Sequence, residues 1–261
     1  MSPSNDYDRV QKLTSYKNII LAVSTIITLL LTLNEKYKLA ERHQELRDYV
    51  IVFIGLNSIL IILYVALNFR ADYIFTKAEK LRRLQYLDNS FDTNFAGKKT
   101  ENYFTQDNIE PGFYKLCSNC FENSFHTFNI VKQMQNNVYT KAGFVLLIFI
   151  FSASVGDKSI VRALIEAILP LSLVQDAIKI SVIVTRLESI LDNFRIFFSN
   201  IKNSSFSNKE PEAMRLVIDY ETTLAWASLP LDSKVFLRLQ KPLSEEWEIL
   251  KNEYEIKNLT Q

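Results

Sequence analysis

Apolar residues in this chain fall into long blocks rather than at regular short intervals. Four runs stand out: Asn18–Leu33 (NIILAVSTIITLLLTL), Tyr49–Leu67 inside DYVIVFIGLNSILIILYVALNFR, Ala142–Val155 (AGFVLLIFIFSASV) and Ile160–Val184 (IVRALIEAILPLSLVQDAIKISVIV). As helices the first two reach about 24 Å and about 28 Å, close to a hydrocarbon core about 30 Å thick. Tyr49, Tyr64 and Arg70 flank the second run as interfacial residues do, and only Asn57 and Ser58 interrupt it. The third run is about 14 residues, a length that a buried soluble helix also reaches. Gly156–Lys158 ties it closely to the fourth run, and two such hairpins predict membrane insertion. The expected fold is therefore all-α: an integral membrane protein with four transmembrane helices in two hairpins, plus a helical cytoplasmic region.

The fourth run differs from the rest. Glu166, Asp176 and Lys179 interrupt it, and Pro170 stands in its middle. A charge at bilayer depth costs several kcal/mol unless it is paired or faces water, which marks these residues, with Ser152 and Ser154 of the third run, as candidates to line or gate an opening. Pro170 frees a backbone carbonyl and can kink its helix, while Asp176 and Lys179 are spaced to pair on one face. The alternative is a span ending near Leu173, with Asp176 and Lys179 in the interface and Glu166 interfacial one turn from Arg162.

Outside the apolar runs the period is helical. Ala71–Leu87 places Ile74, Ala78, Leu81 and Tyr86 at near-helical spacing, with Lys77, Lys80, Arg82 and Arg83 able to lie along an anionic lipid surface. The cassette LQYLDNSFDTNFAG (Leu84–Gly97) then turns polar, and its Asx-turn residues predict that the chain folds back. Phe95–Tyr114, with Gly97, Pro111 and Gly112, reads as an ordered loop region. Tyr114–Gly143 resumes helical patterning and leads into the third run. After the fourth run, Leu187, Ile190, Leu191, Phe194 and Phe198 form an apolar stripe, and Ser199–Glu210 is a polar linker. Pro211 opens another helix with Val217, Tyr220 and Leu224 on one face. Ser244 is expected to cap a last helix carrying Trp247, Leu250 and Tyr254. The predicted divisions are 1–70 (spans about 17–33 and 49–68), a stalk and sensor segment 71–138, a second hairpin 139–184, and a C-terminal region 185–261. The tail helices are too few to bury a core alone and should pack on the stalk or on a neighbouring subunit.

Composition changes this picture little. The 261 residues carry a formal net charge of +1, so no global field points to DNA or RNA. The 5 glycines and 6 prolines are scattered, which favours helices. The 2 cysteines form one Cys117-x-x-Cys120. Zinc normally takes four ligands, and with only His126 nearby and His43 across the membrane both cysteines read as packing residues. No nucleophile elbow, metal cluster or phosphate-cradling glycine loop occurs, so no enzyme and no cofactor are expected. The first apolar run lacks the flanks and small-residue site of a cleavable signal. The lysines and arginines at the span ends place both termini and the middle segment in the cytoplasm, although Lys36, Lys38, Arg42 and Arg47 in the first connection narrow the asymmetry.

With these residues laid out, the chain resembles the SMODS-associated four-transmembrane effector family of bacterial anti-phage (CBASS) systems. The likeness rests on the two-plus-two span layout, LQYLDNSFDTNFAG, the later PGFY (Pro111–Tyr114) and FENSFH (Phe121–His126), and a helical tail. It implies an inner-membrane effector that binds a cyclic oligonucleotide made by a partner nucleotidyltransferase. It further implies that the effector oligomerises or gates, permeabilises the membrane as a pore-forming protein, and ends the infection by growth arrest or death. The alternative is a non-conducting membrane adaptor whose cytoplasmic helices recruit another protein. A cyclic nucleotide needs cations or amides for phosphates and flat rings for bases. The middle segment offers Lys98, Lys99 and Lys115 near Phe91, Tyr103, Phe104 and Tyr114, with Asp92, Asn119 and Asn123 for base edges. The same aromatics could instead form the small core of the stalk, with the lysines as solvated surface.

Overall fold

The computed structural model describes residues 3–97, 106, 108–154, 160–202 and 206–257, with the side chains of 3–5 and 160–166 left aside. Among these residues there are seven helices and no strand: α1 Pro3–Tyr37, α2 Leu39–Arg42, α3 Gln44–Phe91, α4 Phe113–Ala153, α5 Ile160–Lys202, α6 Glu210–Ala227 and α7 Ser233–Glu253. Four stretches, Asp6–Tyr37, Gln44–Phe91, Phe113–Ala153 and Ala167–Lys202, are long and apolar enough to cross a membrane. The 48 residues of α3 make about 70 Å of helix, more than twice a bilayer's hydrocarbon thickness. The segment 71–87, read from sequence as a helix of its own, is therefore the continuation of the second span.

The chain divides into two compact units. The apolar unit comprises Tyr7–Ile74 and Asn136–Ile178, and the polar unit comprises Phe75–Gln135, Lys179–Gln261 and the first residues of α1.

In the apolar unit Leu21 of α1, Ile61 and Tyr64 of α3, Ala142 and Val145 of α4, and Leu169 and Leu173 of α5 form one buried cluster. Polar residues share that interior. Ser24 Oγ donates to Asn57 Oδ1 at 2.6 Å, Asn57 Nδ2 donates to Thr28 Oγ1 at 3.1 Å, and Thr32 Oγ1 donates to Ser152 Oγ at 2.7 Å. Asn57 is 3% exposed whereas Ile62, on the same helix, is 68% exposed. This inversion, polar inside and aliphatic outside, suits a solvent of hydrocarbon. Pro170 is buried inside α5, which continues through it to Lys202.

The polar unit has an aromatic centre. Phe121 of α4 stacks on Phe194 and Phe198 of α5 at 5.6 and 5.2 Å between ring centres, and meets Trp247 and Tyr254 of the tail edge-on at 5.1 and 5.8 Å. α6 joins α4 through Thr127 and Tyr220, whose hydroxyls are 3.0 Å apart. It joins α3 through Glu221, which takes Arg82 Nη2 at 2.8 Å and Arg83 Nε at 2.7 Å. The expected packing of the tail on the middle segment is thus present within one chain.

Two helix ends differ from the sequence reading. α3 runs through Asp88-Asn89-Ser90 and stops at Phe91, with Asp92 in the left-handed region at φ 53°. The last helix begins at Ser233, capped by Asp232, whose carboxylate accepts from the amides of Lys234 (2.8 Å) and Val235 (3.1 Å). Ser244 lies inside it and donates to Gln240 O. The start expected at Ser244 is thus too late, and α7 carries Pro242 within it.

Replacing Phe121 by Ala removes the ring that four others share and should cost about 3–5 kcal/mol, read as a fall in melting temperature of the detergent-solubilised protein. Asn57→Leu keeps the branched shape and deletes two interhelical bonds, and should cost about 1 kcal/mol by steric-trapping or denaturant titration in micelles.

Candidate functional site

The opening cassette is built around one carboxylate. Asp88, in the last turn of α3, accepts from Thr93 Oγ1 at 2.8 Å, from the amide of Phe95 at 2.7 Å and from the amide of Ala96 at 2.8 Å. Its own carbonyl takes the amide of Thr93 at 3.2 Å. A buried carboxylate satisfied by several donors holds a loop much as a cap holds a helix end. The chain returns at Gly112, whose amide donates to Ser90 O at 2.8 Å, and α4 begins at the next residue.

α4 then presents a polar stripe inside the unit. Lys115, Asn119 and Asn123 stand four residues apart and so share one face. Asn119 is fully buried; its Nδ2 donates to Asn89 Oδ1 at 2.9 Å and to Ser90 Oγ at 3.2 Å, while its Oδ1 has no partner. Asn123 Nδ2 is likewise buried and unpaired. Lys115 is 6% exposed, and among the described residues no carboxylate pairs with it. The first turn of α4 contains no acidic residue either. Close by, Glu122 is buried and accepts from Gln106 Nε2 at 3.1 Å. Among the described residues, one helix face thus carries a buried lysine that no carboxylate pairs and two amide atoms without a hydrogen-bond partner.

Of the other residues expected to bind ligand, Tyr114 is buried against Phe198 and Phe206, its phenol pushed up to about 12, chiefly by burial. Phe91 meets Phe113 edge-on at 5.3 Å and is half-buried, and Asp92 is exposed. Lys98, Lys99, Tyr103 and Phe104 lie outside the described residues. His126 is half-buried, and burial holds its imidazole below the ordinary value. Cys117 and Cys120 are both fully buried, and desolvation raises their thiols well above the usual range, which opposes the thiolate that redox or zinc chemistry needs. Among the described residues no group of three or more His, Cys, Asp or Glu is assembled for a metal.

The residues expected to line or gate an opening lie on α5 and at the end of α4. Ser152 is buried and bonded to Thr32; Ser154 is exposed and donates to Ile150 O at 2.8 Å. Asp176 is half-buried, and its charge acts on Lys17, which also donates a hydrogen bond to Asn68. Lys179 is the first residue of α5 in the polar unit, and the side chain of Glu166 lies outside the description. Sequence reasoning passed over Asp88, Asn89 and Ser90 as individuals, and the α1 stripe Ser24–Thr28–Thr32. The signal for the stripe was present in the four-residue spacing of hydroxyls along an apolar run.

The chain matches no family model, no curated protein and no solved structure. Asp88→Ala should loosen the return turn and cost about 1.5–3 kcal/mol, seen as faster amide exchange at Thr93, Phe95 and Ala96.

Proposed function

We propose that this protein is a ligand-responsive effector of a bacterial inner membrane, with both termini and the polar unit in the cytoplasm. Its ligand is a cyclic oligonucleotide from a partner nucleotidyltransferase of an anti-phage system. On binding, copies of the chain oligomerise or gate, the apolar helices open the membrane, and the infected cell stops growing. The observation that supports this reading is the buried stripe Lys115–Asn119–Asn123. Lys115 supplies a cation for a phosphodiester, Asn119 Oδ1 an acceptor for a base N–H, and Asn123 Nδ2 a donor for a ring nitrogen or carbonyl. The motifs behind the family resemblance, LQYLDNSFDTNFAG, PGFY and FENSFH, contribute Asp88, Asn89, Ser90, Gly112 and Asn123 to this same region. α4 bears the stripe and then the third apolar run, so binding and membrane response share one helix.

A second reading has its own support. Ile196, Ile218 and Ile249 are exposed on the polar unit, as they would be in a non-conducting adaptor that recruits another protein.

In detergent, cyclic di- and trinucleotides screened against the full chain should include one that raises the melting temperature, since a ligand specific for the folded state at about 100 times its Kd adds about 2.7 kcal/mol. Lys115→Met should abolish the rise and change the unliganded stability by no more than about 1 kcal/mol. A flat screen would sink the ligand assignment. In vesicles the same nucleotide should release a trapped dye; binding without release would favour the adaptor.

A further inference from the structure

The elbow between α6 and α7 is a part of the polar unit that neither the stripe nor the aromatic centre uses. α6 ends at Ala227, Ser228 turns left-handed at φ 46°, and Leu229-Pro230-Leu231 leads to the Asp232 cap. The Asp232 amide donates to Met134 Sδ at 3.3 Å, and Met134 stands two residues before Asn136, where α4 passes into the apolar unit. Trp226 packs under the guanidinium of Arg186 at 4.9 Å, two turns along α5 from Lys179, where that helix enters the polar unit. The elbow therefore belongs to the end of the polar unit at which α4 and α5 leave it.

Its surface is apolar and basic together. Trp226 is 48% exposed, Leu237 is 69% exposed, and Phe236 is exposed as well. Charge along α7 runs against what the helix itself favours. Lys234, Arg238 and Lys241 give its first half +3, while Glu245, Glu246, Glu248 and Glu253 with Lys251 give its second half −4 + 1 = −3. A helix dipole prefers acids in the first turn, where Lys234 stands instead, and the exposed Arg238 and Lys241 extend that cationic face along the helix. The carboxylate of Asp232, the single acid between Trp226 and Lys241, is occupied with two amides of α7.

We infer that the α6–α7 elbow is an interfacial anchor that rests on an anionic phospholipid surface. Trp226, Phe236 and Leu237 enter the headgroup layer, and Arg186, Lys234, Arg238 and Lys241 meet lipid phosphates. Exposed aromatic rings beside cations are what that layer favours. The inference uses the membrane character of the apolar helices and is independent of any nucleotide ligand.

The full chain has 2 tryptophans, so wild type and Trp226→Phe together isolate the elbow's indole. Both are reconstituted in phosphatidylcholine vesicles, with and without phosphatidylglycerol, that contain a lipid brominated near the carbonyl end of its acyl chains. Wild-type emission should be quenched in the phosphatidylglycerol vesicles, and Trp226→Phe should lose that quenching. Lys234→Glu/Arg238→Glu/Lys241→Glu should lose it too while keeping the wild-type circular dichroism. Equal quenching of wild type and Trp226→Phe, or quenching indifferent to phosphatidylglycerol and to charge reversal, would overturn the assignment. So would shielding of Trp226 from both bromolipid and aqueous acrylamide, which marks cover by a second copy or another protein.

Discussion

Hydrocarbon offers a peptide group nothing to hydrogen-bond with, and the architecture follows from that limit. Every backbone donor in a crossing segment must find its acceptor within its own helix, so the crossing segments are unbroken helices. α3, α4 and α5, with 48, 41 and 43 residues, far exceed what a bilayer requires, and each contributes residues to both units. The same limit reverses the usual rule for side chains. Ser24, Thr32, Asn57 and Ser152 turn inward because each finds a partner there and would find none in lipid, while Ile62, Leu147 and Leu171 turn outward at no cost.

The polar unit obeys the ordinary rule, and its stability rests on parts distant in sequence. Phe121 draws rings from the end of α5 and from α7, and Arg82 and Arg83 of α3 converge on Glu221 of α6. The bidentate contact of Arg82 with Glu221 at 3.1 and 2.8 Å and its bond to Glu79 at 3.1 Å satisfy a largely buried cation. Such a network does more to fix register than to add stability, because desolvation offsets much of the attraction. The aromatic centre supplies the larger share, and it closes only after residues on either side of the apolar hairpins have met.

Much of this was legible in the chain. Block hydrophobicity gave four crossing helices, since length and composition alone decide that question. Helix ends were less legible, because they depend on single hydrogen bonds: Ser244 has the chemistry of a cap, yet Asp232 holds that role and Pro242 is carried inside the helix. The cassette announced a turn, but which of its polar residues would organise it is a matter of reach, and Asp88 reaches three donors among the described residues. Residue type singled out Lys115 for a phosphate and Asn119 for a base edge, yet type is silent on burial, and both lie inside a helical assembly rather than on its surface. Phe121 was one phenylalanine among 18 until the fold surrounded it.

Magnitudes separate what can move from what cannot. On the proposed reading, a ligand at the α4 stripe acts through its differential affinity for two states, typically 1–3 kcal/mol. That is less than the roughly 3–5 kcal/mol tied up in one large aromatic of the centre, so the ring cluster around Phe121 stays intact through any response. It exceeds the value of a membrane-buried hydrogen bond, about 0.6 kcal/mol. Ser152, on the same helix as Lys115 and Asn119, is bound to Thr32 of α1 by one such bond. On the proposed reading, the Thr32–Ser152 bond between α1 and α4 is an interaction of a size that binding energy can reset.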